Sequence, residues 1–157
     1  MLSVGRASVR TMTNVTGRFS RIHAGLPFAA LVTVSVERPT SAPGVCLELS
    51  GSGFESQGII ESAPSSGPYE DWRQAALQGV AFGLRLATVN DARVAVKAIE
   101  GRAGTDTTAA TVAAAAFIAV CQAFGFVPAG EVQRGLEALV FRSWSTPERV
   151  PDLDAEL

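Results

Sequence analysis

The sequence predicts an α+β sandwich, in which a mixed four-stranded sheet carries helices on one face. Three observations predict it. Residues 28–38 alternate, with Phe28, Ala30, Val32, Val34 and Val36 set against Thr33, Ser35 and Glu37, the period-2 pattern of a strand with one wet face. Residues 68–86 and 105–126 instead carry apolar side chains at helical spacing. Between them, residues 91–100 read as another strand, so the order is β-β-β-α-β-α with a third, shorter helix to follow.

Each element has a local reason. Residues 6–22 form the first strand, because Val9, Thr11, Thr13 and Val15 place β-formers at alternate positions. Ala24-Gly25-Leu26-Pro27 makes the turn into the second strand, Phe28 to Arg38. A Pro- and Ser-containing loop over 39–44 follows. Val45 to Leu49 and Phe54 to Glu61 then read as β, with Gly51-Ser52-Gly53 as a break or bulge between them. Pro68 suits the first turn of a helix, and Glu70 and Asp71 suit its dipole. Trp72, Ala75, Ala76, Gly79, Val80, Gly83 and Leu86 form that helix's apolar stripe. Gly79 and Gly83 each cost about 1 kcal/mol against Ala, so close approach of the helix to the sheet is the expected compensation.

In the strand at 91–100, strict alternation puts Val94, Val96 and Ala98 on one side and Arg93, Ala95, Lys97 and Ile99 on the other. Thr105 or Asp106 is the expected N-cap of the second helix. Val112, Ala116, Ala119, Val120 and Ala123 recur at its core spacing, and Pro128 is expected to stop it. An amphipathic third helix spans 129–142, carrying Val132, Leu136, Leu139 and Val140. Residues 1–146 thus read as one domain and 147–157 as a solvated acidic tail.

Composition excludes several classes of function. Thirteen basic against fifteen acidic side chains give a net charge of -2, which rules out a strongly basic nucleic-acid binder. No stretch approaches the roughly 18–20 apolar residues that span a bilayer, so no membrane role is expected. The start is acid-free, with Arg6, Arg10, Arg18 and Arg21 ahead of Glu37. That is compatible with a transit peptide, although the β alternation points to a strand. Cys46 and Cys121 lie 75 residues apart and match no metal or redox spacing. Both are expected to be reduced thiols in a cytoplasmic protein.

Three stretches carry a family resemblance. They are Gly17-Arg18-Phe19-Ser20-Arg21, then Gly53-Phe54 with Ile59-Ile60, Pro68-Tyr69-Glu70 and Ala75-Ala76-Leu77-Gln78-Gly79, then Val94 to Gly101 followed by Asp106-Thr107-Thr108. In order and spacing, over about residues 14–126, they resemble domain IV of translation elongation factor G, of the ribosomal protein S5 domain 2-like superfamily. The resemblance implies a left-handed βαβ crossover and a translation-related role. It also implies two loops at one tip that reach the ribosomal decoding site. The family's Gly-Gly-Arg-Gly-Gln tip loop is here Ala24-Gly25-Leu26-Pro27-Phe28, without the Arg and Gln. Its His-bearing second loop is here Gly101-Arg102-Ala103-Gly104-Thr105, without the His. No Gly-x4-Gly-Lys-Ser/Thr phosphate loop occurs, so GTP hydrolysis has no residues to carry it.

The remaining candidates are weighed singly. His23, the lone histidine, has no nucleophile or carboxylate motif beside it and reads as a turn residue. No metal set and no acid–base pair can be assembled, so no cofactor and no enzymatic activity are expected. Strand pairing of the family's kind would bring Arg18, Arg21, Arg93 and Lys97 onto neighbouring strands. With Arg102 on the turn before the second helix, they form a modest basic face for ribosomal or other RNA. A solvated sheet face is the competing reading. The alternative function is a protein-interaction or self-assembling domain, working through the C-terminal helix with Leu136, Val140 and Trp144. Mean hydropathy of +0.24 agrees with that alternative.

Overall fold

The computed structural model describes residues 11–51, 53, 61–67, 69–145 and 150–157. The elements are β1 (Thr11–His23), β2 (Leu26–Arg38), β3 (Gly44–Leu47), β4 (Glu61–Ser62), α1 (Glu70–Leu86), β5 (Arg93–Gly101), α2 (Ala109–Phe124), α3 (Gly130–Phe141) and α4 (Leu153–Glu156). Strand order is β1-β2-β5-β3, with β1, β2 and β5 antiparallel and β3 parallel to β5. The two-residue β4 pairs with the far end of β5. The fold is therefore the α+β architecture with a mixed open sheet that the sequence predicts. The expected β residues 6–10 and 54–60, together with Ser52 and Pro68, lie outside the described residues.

The second strand's alternation is realised, for Phe28, Ala30, Val32, Val34 and Val36 are all buried under the helices. Strict alternation fails in β5. Thr33 pairs with Ala98 but Val34 pairs with Val96, so Lys97 is an extra residue in a bulge. The bulge reverses the parity beyond it. Ile99 therefore joins Val94 and Val96 in the core, and Ala98 turns to the open face.

α2 lies directly on β1. A Cβ on Gly17 would stand 2.2 Å from the Ala115 carbonyl oxygen and 2.4 Å from the Ala119 nitrogen. α1 packs against α2 by the same device, since a Cβ on Gly79 would meet the Ala113 carbonyl oxygen at 2.3 Å. The glycines of α1 thus compensate their cost by approaching a helix, not the sheet as expected. Phe82 and Phe117 fill the seam with ring centroids 5.4 Å apart.

Four boundaries differ from expectation, each with a physical cause. The β1–β2 turn is only Ala24-Gly25, both at positive φ (52° and 76°), the two-residue turn that matches strand twist. α2 starts after Thr108, whose hydroxyl accepts from the Thr111 amide while Thr111 reciprocates. Asp106 is spent in the loop before it. α2 ends at Gly125, left-handed at φ 60°, before Pro128 is reached. The acidic tail is docked: Leu153 is buried, Asp154 pairs with Arg85 at 2.5 Å, and Glu156 pairs with Arg142.

Candidate functional site

Antiparallel pairing of β2 with β5 brings the start of β2 beside the end of β5, so the β1–β2 turn and the β5–α2 loop share one end of the sheet. The second loop is pinned there by backbone and hydroxyl bonds. Ala29 donates its amide to the Asp106 carbonyl at 2.9 Å. The Thr107 hydroxyl donates to the Ala29 carbonyl at 2.6 Å and accepts from the Arg102 amide at 2.8 Å. Gly101 permits this closeness, because a Cβ there would stand 2.3 Å from the Thr107 hydroxyl.

A cleft of about 340 Å³ opens on the uncovered face at this end. Register sets its floor and walls. Arg18 lies opposite Leu31, and Leu31 opposite Glu100, so a row across three strands reads Arg18–Leu31–Glu100. Arg102 and Asp106 close the cleft from the loop side. The Asp106 carboxylate is only 2% exposed, and the Arg102 guanidinium pairs with it. Arg18 makes no ion pair among the described residues, which leaves its guanidinium available to a phosphate or carboxylate.

The five cations expected to bind RNA fall into three groups. Arg18 and Arg102 share the cleft. Arg93 and Lys97 lie toward the opposite edge, where both pair with Glu48, at 3.3 and 2.9 Å. The Lys97 hydrogen bond first, then the charges of Lys97 and Arg93, hold the Glu48 carboxyl below its usual range. Arg21 is on the other side of the sheet, opposite Phe28 on the helix-covered face. There its guanidinium meets Glu137 at 3.4 Å and stands 5.6 Å from the Phe19 ring centroid. Alternation alone separates Arg18 from Arg21, since three residues apart on a strand means opposite faces.

The C-terminal helix is similarly divided. Leu136 and Val140 are buried in the core, and only Trp144 is exposed, at 37%. His23 stacks on Phe141 with centroids 4.2 Å apart and planes 5° from parallel. Burial pushes the Cys121 thiol up to about 11, and Cys46 accepts from Arg93 at 3.3 Å. Among the described residues, no group of three or more His, Cys, Asp or Glu is placed to hold a metal ion. No described helix is long and apolar enough to cross a membrane.

Sequence reasoning passes over Glu48, which neutralises two of the five cations, and Thr107, which fixes the loop. It also passes over Arg73, buried in α1, which donates to the Pro64 and Gly67 carbonyls at 3.0 and 2.8 Å and pairs with Glu70 at 2.6 Å. The Gln74 amide, then Arg73, lowers the Glu70 carboxyl.

No family model and no curated protein matches the chain. Among solved structures, the chain is similar to a protein from Thermus thermophilus, with a TM-score of 0.53 at 14% sequence identity. The likeness covers 71% of this chain and 15% of that one. This chain therefore has a fold that in the Thermus protein is one part of a much longer polypeptide.

Proposed function

We propose that this chain is a non-enzymatic binding module, similar to domain IV of elongation factor G, that engages RNA of the translation machinery with the tip end of its sheet. The observation that carries the reading is the convergence of Arg18 on β1 with Arg102 and Asp106 of the β5–α2 loop around one cleft. The loop there is already rigid, so little ordering entropy opposes binding. Arg18 supplies an unpaired guanidinium for a phosphate oxygen, and Arg102 a second one already oriented by Asp106. No base-reading Arg or Gln stands in the β1–β2 turn, so contacts go to the backbone and sequence preference is weak.

Few cations take part, so affinity is modest and the salt dependence shallow. Filter binding of ribosomal RNA at low and at high salt tests this. Retention at low salt that falls with a log–log slope of about −1.4 to −1.8 is expected for two phosphate contacts. Arg18→Ala is expected to weaken it without touching the fold, because Arg18 holds no ion-pair partner among the described residues. Absence of binding at low salt overturns the reading.

A further inference from the structure

We infer that the chain forms a two-fold dimer in which the β1 strands of two copies pair antiparallel about Gly17, continuing one sheet across both. The inference goes beyond RNA binding and uses the other side of β1. β1 is an edge strand of 13 residues, hydrogen-bonded to β2 on one side and to no described strand on the other. A long unpaired edge is a template for another strand, and proteins that keep one monomeric blunt it with charge, Pro or a bulge. β1 has no Pro, and its pairing with β2 runs without a register shift from Thr11 to His23. Of its two arginines, Arg21 is held by Glu137, which leaves Arg18 as the charge on this strand that no described ion pair offsets.

The pattern along this edge is complementary to itself. Met12 and Ile22, 65% and 79% exposed, stand near its two ends on the open face. They are placed symmetrically about Gly17. A two-fold axis at Gly17, perpendicular to the sheet, sets Met12 opposite Ile22 of the second copy and Ile22 opposite its Met12. Two solitary exposed apolar side chains thereby become two covered cross-strand pairs.

The helix-covered face points to the same register. Beside β1 on that face is a mainly apolar groove of about 440 Å³, with Phe19, Phe117, Phe126 and Val127 in its lining and the Arg21–Glu137 pair also part of it. Val127 is 82% exposed. In the proposed register, Val15 of the second copy lies opposite Phe19 and faces this groove. α3 meets β1 near the C-terminal end of the strand, through Arg21–Glu137 and His23–Phe141. Antiparallel pairing puts the two copies of α3 at opposite ends of the shared strands, so each stands beside residues 11–13 of its partner. On the open face Arg18 sits opposite Thr16 of the second copy and diagonal to its Arg18. That like-charge neighbour makes the dimer tighten as salt is raised, the opposite of RNA binding.

Sedimentation equilibrium of the full chain, from low to high micromolar concentration, tests this with the variants Met12→Lys, Ile22→Glu and the two combined. The wild type is expected to dimerise. Each single substitution sets a charge against an apolar partner and is expected to weaken dimerisation at least about tenfold. The combined variant sets Lys against Glu at both ends and is expected to recover to within about threefold of wild type. Both positions are exposed, so folding is not at issue. A monomer at every concentration overturns the proposal, as does a dimer that the single variants leave unchanged. A combined variant as weak as the singles overturns the Gly17 register. A monomer that captures an extended peptide along β1 overturns it also, by assigning the edge to a foreign strand.

Discussion

On the helix-covered face of the sheet, Val32, Val34, Val94, Val96 and Ile99 are wholly withdrawn from water beneath α1 and α2. On the open face, Arg18, Thr33, Arg93 and Glu48 remain in contact with it. The same strands build both faces, one residue out of step, so the contrast is one of environment and not of backbone. Beneath the helices, shape decides: glycines and alanines let α1, α2 and β1 approach to contact, and a misplaced methyl is felt at once. On the open face charge decides, and most of that charge is cancelled locally by Glu48 and Asp106. A module of net charge -2 can still present a cation where such cancellation is missing, at Arg18.

The most severe test of this contrast removes packing from the covered face. Phe117 is buried in α2, 5.4 Å from the Phe82 ring. Phe117→Ala is expected to cost about 3–5 kcal/mol in urea denaturation, through lost burial and the cavity left behind. A cost below about 1 kcal/mol would mean that the helices repack freely, against the close approach seen at Gly17 and Gly79.

A smaller effect is expected where the two faces meet, at the tip. Thr107→Val keeps the shape of a fully buried side chain but deletes its hydroxyl. The Ala29 carbonyl and the Arg102 amide then lose a partner, at a cost of about 1–3 kcal/mol. Hydrogen exchange should localise the loss to residues 101–108 and the start of β2, leaving α1 protected. If protection falls evenly across the molecule, the loop is not a separate unit and Thr107 belongs energetically to the core.

These positions also mark what the sequence can disclose. Alternation in β2 reports burial directly, because every second residue from Phe28 to Val36 faces the helices and the extra residue of the bulge lies on β5. In β5 the same rule misassigns Ala98 and Ile99, since a bulge at Lys97 is a tertiary accommodation with no local signal. Small residues announce a close approach at Gly79 and Gly83, but not which neighbour approaches. That depends on the α1–α2 pairing. Arg21 is misplaced for a simpler reason: four cations on β1 and β5 suggest a cluster only until β2 is set between those strands and parity is counted, and Arg18 and Arg21 have opposite parity. Glu48 stands in plain view as an isolated acid after a strand. Its role rests on the parallel pairing of β3 with β5, which brings residues more than forty positions apart side by side.

The mildest expected effect is the most informative about function. Glu48→Gln frees Arg93 and Lys97 from their shared carboxylate and raises the positive charge of the open face. The pair is exposed, so thermal stability should hardly move. RNA retention at low salt should rise a few-fold if the open face takes part in binding. The sign of the pH effect follows from the same carboxylate. Glu48 is held below its usual range in the folded chain, so its pairing is present at neutral pH and is lost as pH falls through that lowered value. If Arg93 and Lys97 also contact RNA, wild-type binding climbs as the solution becomes acidic, and the Glu48→Gln variant lacks that part of the rise. Equal affinity for both proteins at every pH would confine RNA to the Arg18–Arg102 cleft, because Arg93 and Lys97 would then gain nothing by being released.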